Sequence, residues 1–202
     1  MATTSSPPLS ALVRKAGVVS EAALIDVLAG EPVRGSWWGH PAGKRIFSAL
    51  ERLRDDADVF LCKFLEGKQT YVHRRLWPAL LRLQAEAGLW PALSSPARRL
   101  LLKVEREGEV AASGPLRLAL ERTLRVVARS EHTPSGAHRV VLTPFRAHFS
   151  AAQRAAARRL SLQEAQAALG MGNTLKGLEP KARALRNSGR RGRGKVRPRG
   201  RR

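Results

Sequence analysis

Apolar residues recur at helical spacing in several stretches of the chain and alternate in two others. Residues 9–29 hold two short amphipathic runs broken near Gly17, with Ser20 suited to cap the second and Gly30 to stop it. Pro41 suits a helix start, where its missing N–H would have no partner anyway. Beyond it Ile46, Phe47, Leu50 and Leu53 share one helical face, and Lys44, Ser48, Glu51 and Arg52 share the other. The run "RDDAD" ends that helix. Residues 59–65 and 69–74 are rich in β-branched and aromatic types around Gly67, which predicts a hairpin. A helix over about 78–87 follows, with Leu76, Leu80 and Leu83 on one side.

The stretch "LWPALSSP" reads as a junction. Past it, a helix over 97–107 presents Leu100, Leu101 and Val104, and "ASGP" turns the chain. A helix from Pro115 stacks Leu116, Leu120 and Leu124 at i, i+4 and i+8. Strands near 125–130 and 138–143, with "TPSG" at the tip, form a second predicted hairpin. One or two more helices lie in 151–169, where "SLQE" is a capping box built on Ser161 and Glu164.

Helix, turn, helix and hairpin in 97–145 is the order of a winged helix, whose helix before the hairpin enters the DNA major groove. The first half reads as a less regular version. The expected fold is therefore a helix-rich α+β chain of two winged-helix-like units, residues 9–90 and 91–150. Residues 151–180 form a helical extension. Residues 1–8 and a basic C-terminal tail, 181–202, are expected to be disordered.

Charge changes this picture most. The 202 residues carry 37 Lys and Arg against 16 Asp and Glu, a net charge of +21. Residues 181–202 alone hold 11 cations and no acid. Such an excess favours a polyanionic partner. With a single cysteine, Cys62, there is no intramolecular disulfide and no cysteine-based metal site. The opening "MATTSSPPLS" lacks the charged and apolar regions of a secretory signal, and no apolar run approaches the roughly 18 residues of a membrane span. A cytoplasmic, nucleoid-associated protein is expected, or a nuclear one in a eukaryotic host. No membrane partner and no cofactor are called for. The oligomeric state is left open.

Candidate contacts with nucleic acid follow from these placements. In the tail, Arg190, Arg191, Arg193, Lys195, Arg197 and Arg199 alternate with glycine and can follow phosphates. On the helix after Pro115, Leu118, Glu121, Arg122 and Arg125 are expected to face outward beside Arg117, with Arg129 joining them if the helix continues. The second hairpin offers His132, Thr133, Ser135, His138 and Arg139 as phosphate contacts. A metal or acid–base role for His132 and His138, with Glu131, His148 or His73, has no supporting spacing. "HRRLW" places His73, Arg74 and Arg75 at a strand end, while Trp77 and Trp90, each before Pro, are expected to pack. Lys44 and Arg45 open the helix after the loop "RGSWWGHPAG". Of the doubled Trp37 and Trp38, burial tendency favours core packing for both; otherwise one is expected to pack beneath that helix, and the other to point elsewhere, half exposed and able to stack on a base.

"RGSWWGHPAGKRIFSALERL" with "VHRRLWPALL" resembles a segment of uncharacterised bacterial proteins, and "SEHTPSGAH" resembles a winged-helix wing. The nearest named group is the bacterial family that includes the winged-helix DNA glycosylases acting on alkylated or crosslinked bases. That resemblance, over about residues 30–145, implies a tandem winged-helix fold and a Gln–x–Gln or Gln–x–Asp dyad in a pocket. Gln69, Gln84, Gln153, Gln163 and Gln166 do not provide that spacing, so no catalytic residue is carried over. The expected function is DNA binding, in regulation, chromosome association or as a repair accessory, with DNA favoured over RNA. The alternatives are a nucleic-acid enzyme such as a base-excision glycosylase and an RNA- or ribosome-associated factor. A pocket holding a carboxylate near Trp37 and Trp38 would favour the enzyme; a dry tryptophan pair and a continuous basic face would favour the binder.

Overall fold

The computed structural model describes residues 9–132 and 136–171. Its first part runs α1 (Leu9–Ala16), β1 (Val18–Ser20), α2 (Glu21–Ala29), α3 (Gly43–Arg54), β2 (Val59–Lys63) and β3 (Gln69–His73). Then comes α4 (Trp77–Ala85). The second part runs α5 (Ser95–Glu107), β4 (Val110–Ala111), α6 (Gly114–Arg122), β5 (Val126–His132) and β6 (His138–Pro144). Helices α7 (Ala151–Arg159) and α8 (Leu162–Ala168) close the described chain. The fold is helix-rich α+β with two three-stranded antiparallel sheets, ordered β1-β3-β2 and β4-β6-β5.

Local chemistry sets the boundaries. The Ser20 hydroxyl accepts from the Ala23 amide at 3.2 Å and starts α2, while Gly30, at φ +83°, stops it by donating to the Asp26 carbonyl. Ser150 with Gln153 and Ser161 with Glu164 form reciprocal capping boxes at α7 and α8. Two short strands have no counterpart in the sequence pattern. β1 pairs Val18 with Val72, and β4 pairs Val110 with Leu142, each adding a third strand beside a hairpin.

Three apolar cores result. Leu24, Ile46, Leu50 and Tyr71 centre the first, between α1, α2, α3 and the first sheet. Val104, Leu120, Val126 and Leu142 centre another, between α5, α6 and the second sheet. The largest joins both parts: Val72 from the first sheet, Leu80, Leu81 and Leu83 of α4, Phe145 and Phe149, and the buried faces of α7 and α8. α4 is flanked by α7 and α8, so leucines on more than one side of it are buried. Each contributes about 1.5–3 kcal/mol by leaving water. Trp77 and Trp90 pack here, donating indole N–H bonds to the Val72 and Leu83 carbonyls at 3.0 and 3.2 Å.

Two expectations are corrected. The stripe Leu116–Leu120–Leu124 is not one helix face. α6 ends at Arg122, and Leu124 takes a left-handed φ of +51° that turns its side chain into the central core. That conformation is costly for a branched side chain and is held by complete burial. Arg125 therefore lies in the following bend and Arg129 on β5, neither on α6. Phe47 is the second correction: it is 43% exposed and outside the core.

Candidate nucleic-acid interface

The loop between α2 and α3 is built from short polar contacts. Asp26 Oδ1 accepts from the Val33 amide at 2.8 Å. His40 accepts from the Ala42 amide through Nδ1 at 3.1 Å and meets Glu31 Oε1 through Nε2 at 3.1 Å, which fixes the proton on Nε2. At Gly43 an added Cβ would lie 3.2 Å from the Trp38 carbonyl oxygen, so the first turn of α3 passes close under the tryptophan backbone. Trp37 packs on the first core. Trp38 is 67% exposed. The two rings do not diverge, as their adjacent positions suggest, but stack at 4.2 Å with planes 20° apart. Trp38 also meets Phe47 at 5.6 Å. An aromatic surface thus lies against the start of α3.

The outward side of α3 carries Lys44, Ser48 and Arg52, all without a hydrogen-bond or ion-pair partner among the described residues. Arg45 differs. Its guanidinium donates to the Leu28 carbonyl and so completes the end of α2. The cations at the strand end are likewise committed: Arg74 pairs with Asp58 at 2.9 Å, and Arg75 donates to the Lys15 carbonyl at 3.2 Å. His73 is buried and caps the turn after β3 through Nδ1, 3.4 Å from the Arg75 amide.

α6 departs most from expectation. The side that the pattern turns outward packs against the first hairpin. The Arg122 side chain lies over Gly67, where a Cβ would come within 2.9 Å of Arg122 Cγ. Glu121 is buried at 8% exposure. Arg117 is partly covered, with Nε 3.4 Å from Glu121 Oε2 but outside hydrogen-bond geometry. Burial pushes the Glu121 carboxyl above its ordinary range, opposed by Lys63, Arg117 and Arg122. On the second hairpin, Arg129 pairs with Glu109 and Glu131 at 2.8 and 2.7 Å, and Arg139 with Glu131 at 2.9 Å. His138 is exposed on β6. Thr133 and Ser135, the His132 side chain and the whole tail with Arg190, Arg191, Arg193, Lys195, Arg197 and Arg199 lie outside the described residues.

A cleft of about 740 Å³ lies between the two parts. Phe47, Lys63, Glu121 and Arg129 line it, together with residues of β2 and β5. The sequence pattern does not reveal this set. Periodicity puts Phe47 in the core and reads Glu121 as one acid on a solvated, arginine-bearing face. The signal it leaves is that lone acid, four residues after Arg117. Among the described residues no three His, Cys, Asp or Glu side chains gather as a metal site, and no helix is long and apolar enough to cross a membrane. A scan of family models, a search of curated proteins and a search of solved structures each found no match.

Proposed function

We propose that the chain binds DNA, docking α3 in the major groove, as a regulatory, chromosome-associated or repair-accessory protein in the bacterial nucleoid. The reading rests on one observation: α3, the helix directly before a hairpin in a winged-helix order of elements, presents Lys44, Ser48 and Arg52 unpaired beside exposed Trp38. Guanidinium and ammonium groups on such a face pair with guanine edges or phosphates. DNA is favoured over RNA because the major groove of an RNA duplex is too narrow for a helix. The tail supplies attraction independent of sequence.

The test is binding against salt on one preferred and one unrelated duplex, for the full chain and for residues 1–180. Removing the tail should flatten the log–log slope by about 4–7, because each phosphate neutralised contributes about 0.9. Sequence preference should survive in the shorter chain and fall with Lys44→Ala/Arg52→Ala. Loss of preference with the tail alone overturns the role of α3.

A second reading, an enzyme acting on nucleic acid, draws support from the cleft, where the buried carboxylate Glu121 shares a lining with Phe47, itself in contact with Trp38. Release of a free base from alkylated duplex, abolished by Glu121→Gln, would decide for it.

A further inference from the structure

Two sheet edges face one cleft. β2 is the outer strand of the first sheet and β5 the outer strand of the second. Leu61, Val127 and Ala128 give the space between them an apolar wall, beside polar lining from Lys63, Gln69 and Ser130. Its size suits a small planar ligand with room for the attached sugar. Arg54 and Arg129 at its edge are neutralised, Arg54 by Glu21 and Glu51, and Arg129 by Glu109 and Glu131.

Asp55 adds to the polar lining, and Glu121 is the most buried polar side chain among the lining residues. It is nine-tenths buried, lines the cleft and lies 3.4 Å from Arg117 Nε, yet accepts no hydrogen bond from any described residue. A buried acceptor without a donor is costly, and a ligand N–H that reaches it recovers that cost. Phe47 links the cleft to the outside: it lines the space and touches Trp38, which stacks on Trp37. An aromatic surface that leads from α3 into a cleft of mixed apolar and polar lining, with a hydrogen-bond acceptor in its wall, matches a nucleobase out of its stack, which has two flat faces and an N–H edge.

We infer that the cleft receives one unpaired nucleobase, stacked beside Phe47 and Trp38 and donating an N–H to Glu121. This rests on the reading that α3 docks on DNA, since Lys44 and Arg52 on the same helix then hold the duplex beside the cleft. Matched duplex is bound by α3 alone, and a bulged or mispaired base adds the cleft.

The test measures fluorescence anisotropy of the full-length chain with two labelled DNA duplexes, one matched and one carrying a single bulged adenine. The bulged duplex should bind about tenfold tighter, the usual size of one stacked base. Phe47→Ala and Glu121→Leu should each bring that ratio towards unity and leave matched-duplex affinity unchanged. Phe47 is half exposed, so its variant keeps the fold even if Glu121→Leu does not. Lys44→Ala/Arg52→Ala should weaken both duplexes alike and keep the ratio. Equal affinity of the wild type for the two duplexes overturns the inference while leaving DNA binding by α3 intact. Loss of all salt-sensitive binding to the matched duplex would instead remove the reading beneath it.

Discussion

The two halves of this molecule share a strand order and differ by one helix. In each sheet the last strand lies between the other two, and a hairpin follows a helix. The first half places α2 and α3 between its first and second strands, and the second half places only α6 there. The extra helix has a consequence for exposure. α2 takes up packing against the first core, so α3 is free to show Lys44 and Arg52 to solvent. α6 has no such companion. Its polar side closes against the first hairpin, with Glu121 buried and Arg122 laid over Gly67. On the second half Arg117, Arg129 and Arg139 are ion-paired within the protein, and Arg122, though exposed, has its stem laid over Gly67. Net charge locates a partner's sign, but helix packing decides which cations can reach it.

If the halves are joined as the central core implies, Phe145→Ala carries the largest effect. Phe145 is fully buried and touches Phe60 of the first sheet at 5.4 Å, ring edge to face. Truncation should cost about 3–5 kcal/mol. Tryptophan fluorescence, which reports the first half and α4, and far-ultraviolet dichroism, which reports the whole, should still lose signal in one coincident transition. Two separated transitions would show that the halves fold independently.

The tryptophan pair gives the next largest contrast, now inside the first half. Trp37→Ala should cost about 2–3 kcal/mol, less than a fully buried ring because Trp37 is only partly covered. Trp38→Ala should stay within about 0.5 kcal/mol, as an exposed substitution does. Urea denaturation of the two variants measures both. Equal losses would mean that the stack, rather than the core beneath Trp37, holds the loop.

Binding is where the halves should differ most plainly. Lys44→Ala/Arg52→Ala should weaken duplex binding by about 1–3 kcal/mol for each base that these side chains read. Arg122→Ala/Arg125→Ala should change it little, since Arg122 packs on Gly67. Titration of a tail-less chain isolates the difference. A larger effect from the second pair would return the reading role to α6.

Much of the fold is legible in the sequence. Ser20, Gly30 and the Ser161–Glu164 box mark ends by local chemistry, which acts within a few residues and leaves a sequence trace. β1 and β4 do not, because three and two residues are too few to show alternation. The turn at Leu124 is hidden too, since its spacing continues the α6 stripe while its burial belongs to another core. The site is less legible still. A polar helix face reads as solvated, yet α6 packs there because Gly67 has no side chain and leaves room for the Arg122 stem. That fit joins residues far apart in the chain, and periodicity carries no information about it.

The smallest effect concerns two glutamates of the second half with opposite environments. Glu131 accepts from Arg129 and Arg139, which hold its carboxyl below the ordinary range. Glu121 accepts no hydrogen bond from a described residue, and burial holds its carboxyl above the ordinary 4.5. Between 4.5 and its raised folded value, the native state keeps the Glu121 proton more tightly than the unfolded chain does. Stability from this group is therefore fully present below 4.5, falls as pH rises through the window and stays lower above it. Glutamine carries no charge at any pH. Glu121→Gln should raise Tm at neutral pH by about 2–4 °C, the shift that about 1 kcal/mol gives in a chain of this size. The gain should vanish once the medium is acidic enough to protonate Glu121 in both states. Glu131→Gln should run the other way, lowering Tm slightly at neutral pH and not at all below its folded range. Thermal melts of the wild type and both variants across acid and neutral buffers read these signs directly. A Glu121→Gln protein that melts lower at neutral pH would show that attraction from Lys63, Arg117 and Arg122 outweighs the cost of burying the carboxylate.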